Sequence, residues 1–422
     1  MAEKIFFCTV GGSHQPIIQA IADINPYFVY FFCTAGNAGS ESQITGEGKI
    51  IKRHREDEKP SLPNIPAQAG LERDKYEVVN IRPDDLDSAY QQIVKTIECV
   101  RQSYEAPQMY ADYTGGTKTM TAAVVLAALE YKIDLRLVTG KRADLYQVAD
   151  GTEWTFPANV ERIQMRRDIQ PHLAAWRYYA YGQANKGLAE IEPPRNPELR
   201  SHFVMAKTLS SAFEAWDKFD HSEANRLLSL YKSEVGARYA DYFIQLKALT
   251  AKDENKSRQK TPALIYDLWL NAHRRAVQGR YDDAVARVYR MTEQIAQWAL
   301  KYYCDVDTAD IPENFIPEDL NLIKNHKGRY QAALYYSWEL VGRKVAGPLG
   351  QFINAHHEGL LKILEARNSS ILAHGDTPVG EGVWQEVRLW IEETLMPYFL
   401  KELKKLGLKK MPPQLPDKYE WL

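Results

Sequence analysis

Cysteine is scarce in this chain of 422 residues. Cys8, Cys33, Cys99 and Cys304 are the four, and they lie far apart with no C-x-x-C pair, which argues against a zinc ribbon. Such usage fits a reducing cytoplasm. An excess of charge of one sign is also missing. The formal net charge is −2, so no global basic field recruits nucleic acid, and any RNA or nucleotide contact has to come from a local site. Long apolar runs are lacking too. The longest, Met120–Leu129, falls well short of the roughly 20 residues that span a bilayer. The opening Met-Ala-Glu-Lys-Ile-Phe-Phe leads straight into a strand pattern without the shape of a signal peptide. A cytoplasmic protein without a membrane segment is expected. Two phosphate-binding fingerprints are missing as well. There is no G-x-G-x-x-G, and Gly116-Thr117-Lys118-Thr119 does not fit G-x-x-x-x-G-K-[ST], so neither a nicotinamide dinucleotide site nor a nucleoside-triphosphate loop is indicated.

What is present is a globular composition, 45% hydrophobic and 26% charged, over a length that suggests two or three domains, since single cores stop growing at about 250–300 residues. In the first third, apolar strand-like runs alternate with helical stretches. Ile5–Val10, Tyr27–Cys33, Tyr76–Ile81, Met109–Tyr113, Ile133–Val138 and Leu145–Val148 read as six strands, with Cys8 and Cys33 as buried small hydrophobes. Ile17–Ile24, Asp84–Tyr104 (Leu86, Ile93 and Ile97 on one side) and Thr119–Leu129 read as helices, and Ala35–Ala69 as a long, charged surface excursion. This alternation predicts a mostly parallel sheet with helices on its faces, and ligands then bind outside the carboxyl ends of the strands. Three loops fall there: Gly11–Pro16, Thr34–Gly39 and Thr114–Lys118. The last, Thr114-Gly115-Gly116-Thr117-Lys118, links a strand to a helix. Its glycines allow close backbone approach to a ligand and the helix start offers N–H groups to an anion. A plain strand-to-helix turn is the alternative.

From about Val160 the pattern turns helical. His172–Ile191 is amphipathic and aromatic, and its rings recur at the spacing of core residues. Leu199–Phe219, Ser222–Tyr231 and Ala237–Leu249 follow, then a charged link at Thr250–Thr261 taken as a boundary. Ala212–Tyr231 and Ala272–Tyr289 are faintly alike, as helical hairpins or as ordinary helix-turn-helix packing. Pro262–Tyr303 reads as two helices, with Arg290 placed to pair with Glu293. Lys401–Lys410 reads as a solvated helix end.

Gln351–Ala373 has a helical apolar recurrence into which Arg367, Asn368, Ser369, Ser370 and His374 are set, with Gly375 suited to a C-cap. Buried polar groups are costly unless satisfied, so this insertion is informative. On a straight helix Arg367 and His374 share a face but stand about 10 Å apart along the axis. The helix bends, the arginine stretches, or two copies of the segment face each other. The pair suits RNA cleavage without metal. The RNA brings its own 2′-hydroxyl nucleophile, histidine moves protons near neutral pH, and arginine stabilises an anionic phosphorane. The clustered acidic and lysine residues of a metal-dependent DNase are not evident, and the adjacent His356 and His357 point to different helix faces.

Arg367-Asn368-Ser369-Ser370-Ile371-Leu372-Ala373-His374 resembles the R-x4-6-H motif of HEPN ribonucleases. Val10-Gly11-Gly12-Ser13 and Asp112-Tyr113-Thr114-Gly115-Gly116-Thr117-Lys118-Thr119-Met120 resemble the sensor loops of CARF domains. Asn271–Arg290 resembles the helical core of CRISPR-associated CARF–HEPN proteins. The resemblance implies an α/β plus all-α chain, with a Rossmann-like CARF sensor domain at 1–157, a helical linker at 158–261 and a helical HEPN domain at 262–422. It also implies a homodimer that binds cyclic oligoadenylate as allosteric activator, in a groove lined by Gly11, Gly12, Ser13, His14, Thr34, Thr114, Gly115, Gly116, Thr117 and Lys118. Activation would switch on a composite site of Arg367, His374 and Asn368 that cuts single-stranded RNA, without metal or other cofactor, to 2′,3′-cyclic phosphate and 5′-hydroxyl ends. The alternative is a cyclic-nucleotide-sensing regulator or adaptor with an inactive HEPN-like domain.

Overall fold

The computed structural model describes residues 2–36, 39–46, 62–139, 154–251, 254–368, 376–408 and 413–421, with backbone alone at 254–258, 362–364 and 366–368. The chain forms two compact units, Met1–Gln164 and Met165–Leu422.

The first unit runs β1 (Lys4–Thr9), α1 (Gln15–Ile24), β2 (Phe28–Cys33), α2 (Ser42–Thr45), α3 (Ile65–Gln68), β3 (Tyr76–Asn80), α4 (Leu86–Ser103), β4 (Gln108–Asp112), α5 (Lys118–Glu130), β5 (Asp134–Thr139) and β6 (Trp154–Pro157). The strands make one sheet in the order β3-β2-β1-β4-β5-β6. β1 to β5 are parallel and β6 runs antiparallel to β5. The Ile5-Phe6-Phe7-Cys8 run is apolar at both parities because both faces are covered. Ile5 and Phe7 join the core with α4 and α5, whereas Phe6 and Cys8 join the core with α1, α2 and α3. Cys8 and Cys33 are buried, as the sequence suggests.

Two expectations need adjustment. Leu86 is exposed because it opens α4 directly after the Asp85 cap, whose carboxylate accepts the Ser88 N–H at 3.0 Å. The buried stripe is instead Ala89, Ile93, Thr96, Ile97 and Val100. The excursion after β2 is not all surface. Gln43, Ile44 and Ile65 are buried at its two described ends, while residues 47–61 lie outside the described residues. So does the strand expected at Leu145–Val148.

The second unit contains α6 (Glu161–Leu173, which crosses the boundary), α7 (Tyr181–Ala189), α8 (Pro197–Asp217), α9 (His221–Ser229), α10 (Lys232–Val235), α11 (Ala240–Leu249), α12 (Glu254–Val277), α13 (Tyr281–Cys304), a hairpin of β7 (Ile323–Lys324) and β8 (Tyr330–Gln331), α14 (Leu334–Lys344), α15 (Pro348–Asn368), α16 (Glu381–Trp390) and α17 (Met396–Lys405). It has two cores that share α12. One gathers residues from Met165 to Ala263, and the other those from Ile265 to Leu403. Leu415 and Tyr419 return to the first.

The helix expected over His172–Ile191 is broken. α6 stops at Leu173, and Tyr179 takes a left-handed φ of 53°. Packing overrides the local pattern there. Trp176 is fully buried, donates Nε1–H to Ser210 Oγ at 3.0 Å, and meets Tyr181, Phe213 and Tyr419 edge-on. The helical hairpins share one turn. At Tyr179-Ala180, Phe219-Asp220 and Gly279-Arg280 the first residue has positive φ. The second donates its N–H to a carbonyl five residues back (Ala175, Ala215 and Arg275), which is the Schellman pattern. The charged link expected at Thr250–Thr261 is also corrected. From Glu254 it is the start of α12, with Pro262 inside the helix. Glu, Lys, Arg and Gln are good helix formers, and polarity alone did not mark a loop.

Candidate functional site

β1 and β4 are neighbours, yet the chain leaves β1 for β2 on one side and leaves β4 for β5 on the other. That is the topological switch point where open α/β sheets bind ligands. The loop after β1 carries Gly11, Gly12, Ser13 and His14, and the loop after β4 carries Thr114, Gly115, Gly116 and Thr117, with Lys118 opening α5. The two loops touch. A Cβ on Gly115 would lie 2.5 Å from the Thr9 carbonyl oxygen, and Thr9 Oγ1 donates to the Gly115 carbonyl at 2.5 Å. Thr34 follows β2 on the next strand.

The ten expected ligand residues differ in how far their side chains are engaged within the fold. Thr34 and Ser40 close their own loop, each accepting the other's backbone N–H at 2.9 and 3.1 Å. Thr114 Oγ1 donates to Asp112 at 3.0 Å and accepts the Val138 N–H at 2.9 Å. Thr117 caps α5 by accepting the Met120 N–H at 3.3 Å, and donates to the Pro83 carbonyl at 2.9 Å. His14 is buried, with Nδ1 2.8 Å from Gln68 Nε2. Gly12, Ser13 and Lys118 are exposed. With the N–H groups of the α5 first turn, they form a surface suited to an anion.

Asp112, quoted above only as part of a motif, is the buried pivot beneath this surface. It is fully buried at the end of β4 and accepts the Thr114 N–H at 2.9 Å. Burial pushes its carboxyl up to about 6, against the opposing pull of the two Thr114 hydrogen bonds. An apolar strand that ends in Asp before a Thr-Gly-Gly turn is the signal that marks it.

In the second unit, α15 begins at Pro348 and breaks helical geometry at His356, where φ is −131° and ψ 26°. Arg367 and Asn368 are its last two described residues, placed by backbone. His374 lies outside the described residues. Beyond it the chain is tied down, because both carboxylate oxygens of Asp282 in the first turn of α13 accept the Val379 N–H at 3.1 Å. α15 packs closely at Gly359, where a Cβ would stand 2.3 Å from Trp390 Nε1. The adjacent histidines diverge as expected. His356 packs on Phe352 and Tyr398, whereas His357 Nε2 lies 3.0 Å from Glu339 and 3.2 Å from the Tyr335 hydroxyl. Arg290 pairs with Glu293, and Arg287 Nε donates to Asn271 Oδ1 at 2.5 Å. His273 sits edge-on to Trp269 and Trp384, and burial pushes its pKa down to about 4, helped by Arg388 and Arg274. It is a partly buried histidine, with Nε2 3.6 Å from Glu392, and is neutral at physiological pH.

Residues 253–396 match the family model of the Csm6 HEPN domain. The match begins where α12 begins and spans α15 and the Arg367–His374 segment. Among solved structures, the chain is similar to Enterococcus italicus Csm6 bound to cyclic hexa-2′-fluoro-hexa-dAMP. The TM-score is 0.55 and the identity 13%, over 96% of this chain and 99% of that one. Residues 253–396 thus resemble the Csm6 HEPN domain, and the fold of the chain is similar to that of Csm6. The HEPN match overlaps the second core of the second unit. Can2 from Sulfobacillus thermosulfidooxidans in complex with cyclic tetra-adenylate overlaps 52% of the chain and 64% of its own, at 12% identity and a TM-score of 0.24, a likeness on which nothing here rests. No curated protein matches the sequence. Among the described residues, no helix is long and apolar enough to cross a membrane.

Proposed function

We propose that the chain is a cyclic-oligoadenylate-activated endoribonuclease of type III CRISPR antiviral defence that cuts single-stranded RNA. The observation that carries this reading is the Csm6 HEPN match over residues 253–396, which embraces Arg367, Asn368 and His374. It is joined in one chain to a cradle at the switch point of a parallel sheet. The solved Csm6 of similar fold is bound to a cyclic hexanucleotide analogue, which supports a ring of linked phosphates as the ligand of Gly12, Ser13 and Lys118. The other seven residues of the expected groove then shape it.

In the cleavage step the RNA 2′-hydroxyl oxygen bonds to phosphorus while the bond from phosphorus to the 5′-oxygen breaks. His374 takes the 2′-hydroxyl proton, and that proton is passed on to the 5′-oxygen as it leaves as a 5′-hydroxyl. Arg367 balances the charge on the phosphorane, and Asn368 positions the arginine or the RNA. The products are a 2′,3′-cyclic phosphate and a 5′-hydroxyl, and no step calls for a metal. A homodimer brings two copies of the segment together, which removes the distance that separates Arg367 from His374 on one straight helix.

A panel of cyclic oligoadenylates of different ring size, with RNA and DNA reporters in EDTA, tests this reading. One ring size is expected to switch on RNA cleavage, and His374→Ala to abolish it. A His374→Ala protein that cuts at the wild-type rate sinks the assignment. Ring binding without RNA turnover in the wild type favours a sensing regulator or adaptor.

A further inference from the structure

A pocket of about 430 Å3 opens beside the β7–β8 hairpin, lined by Gln297 of α13, Thr308, Ile323, Asn325, Gln331 and Tyr336 of α14 among others. That volume falls in the range of about 300–1,000 Å3 typical of small-ligand sites. None of these residues belongs to the cradle or to the Arg367–His374 segment.

Three features give the pocket a chemistry. Gln331 presents a donor and an acceptor, and Gln297 and Asn325 keep amide NH2 donors while their oxygens accept from Arg290 and from Lys327 and Arg329; donors and acceptors of this kind read the edge of a nucleobase. Ile323 is 82% exposed, a large apolar side chain at the rim with no core to fill. The hairpin sequence Ile323-Lys324-Asn325-His326-Lys327-Gly328-Arg329-Tyr330-Gln331 holds three cations and a histidine and no acid, in a chain whose net charge is −2.

The hairpin is also held in shape. Asn325 Oδ1 accepts the N–H groups of Lys327 and Arg329 at 2.8 and 3.1 Å. Arg329 is tied to Asp310 at 2.7 Å, and the Tyr330 hydroxyl donates to Glu313 at 3.0 Å. Lys324 lies 4.5 Å over the Tyr330 ring, and Lys327 is exposed. Arg329 is therefore occupied in fixing the turn, and the two lysines are the charges left for a polyanion.

We propose that this pocket receives one unpaired base of single-stranded RNA, with Lys324 and Lys327 on the neighbouring phosphates. It is a substrate-holding site separate from the reacting residues. The inference rests on the ribonuclease reading above. A duplex hides the base edges that the amides recognise, so the site selects single strands. It is also placed to feed the chemistry. Tyr335 at the start of α14 packs on His357 of α15, with ring centroids 5.4 Å apart. Arg367 follows ten residues later, about 15 Å along the helix.

The test uses the full chain and a 2′-O-methyl RNA 20-mer, which lacks the nucleophile and survives the assay. Lys327→Glu and Ile323→Asp change exposed side chains and remove no core contact. Each is expected to weaken binding of the single strand about 5–10-fold, the scale of one stacked base or phosphate contact. In cleavage of unmodified RNA the same variants should raise KM with kcat unchanged. Wild-type affinity in both variants, or an equal loss for a 20-bp duplex RNA, overturns the pocket. A wild type that binds the single strand but never cleaves RNA counts against the ribonuclease reading and leaves the binding comparison decisive for the pocket.

Discussion

Gly11 and Gly116 hold the two cradle loops together by having no side chains: a Cβ built on Gly11 would stand 2.6 Å from the Gly116 backbone nitrogen. Gly116 also has a φ of 86°, a conformation that other residues adopt with strain. Gly11→Ala must push the loops apart. We expect a loss of about 1–3 kcal/mol of stability, as for other overpacked sites, together with loss of the response to activator. Gly12→Ala is the control for stability, since a Cβ there meets nothing within 4 Å. Urea unfolding of the two variants, with activator titration of Gly11→Ala against wild type, checks this, and equal stability of the two variants would count against the close contact.

Lys118 differs from its neighbours in the motif. It is exposed at the first position of α5, whereas Thr117 beside it is used as the cap. Lys118→Ala should leave stability within about 0.5 kcal/mol of wild type, as surface changes do. The loss of a charged hydrogen bond to the activator should raise the concentration needed for half-activation about tenfold or more. The maximal cleavage rate should stay the same. An unchanged activation curve removes Lys118 from the cradle.

Much of this architecture was legible in the sequence because its signals are local. Apolar runs marked β1 to β5 to within a few residues, and the glycine turns marked the ends where a ligand could sit. Roles were harder to read, because they depend on partners distant in sequence. Thr34, Thr114 and Thr117 looked like ligand contacts, yet their hydroxyls bond Ser40, Asp112 with Val138, and Pro83 with Met120. A hydroxyl in a turn serves loop and ligand equally well until its neighbours are known. The break at Tyr179 was hidden for the same reason, since burial of Trp176 against Ser210 and Phe213 decided it. For the Arg367–His374 segment, the helix up to Arg367 and Asn368 was legible from its apolar spacing.

Asp112 makes a pH prediction. Burial holds its folded-state pKa near 6, above the ordinary aspartate value of about 3.9. The protonated form therefore favours the fold. That contribution is full below about pH 4 and is lost as pH rises through about 6, by an amount on the order of 3 kcal/mol. Asp112→Asn removes the titration and still accepts the Thr114 N–H. Stability of wild type minus Asp112→Asn should fall between pH 4 and pH 7, read by urea unfolding at each pH. A flat difference shows that Asp112 titrates normally.

Arg274 is fully buried and joins three segments of the second unit. Its Nε donates to Asp217 Oδ1 at 2.8 Å, Nη1 donates to Gln414 Oε1 at 2.7 Å, and Nη2 lies 3.5 Å from Asp267. Asp267 in turn accepts from Trp216 Nε1 at 3.2 Å and lies 2.8 Å from His221 Nε2. Gln414 holds the returning chain end, donating to the Leu270 carbonyl at 2.8 Å, while the Tyr242 hydroxyl donates to the Gln414 carbonyl at 2.7 Å. Removing the guanidinium leaves the buried Asp267 short of its cation and Asp217 with Arg275 alone, so Arg274→Ala should cost about 3–5 kcal/mol. Arg274→Lys keeps the charge and loses the fork, and should fall between that variant and wild type. Gln414→Ala removes one partner and should cost about 1–3 kcal/mol. Because the two side chains touch, the Arg274→Ala/Gln414→Ala double variant should lose less than the sum of the singles. Strict additivity in urea unfolding would show that the chain end and the buried arginine act independently.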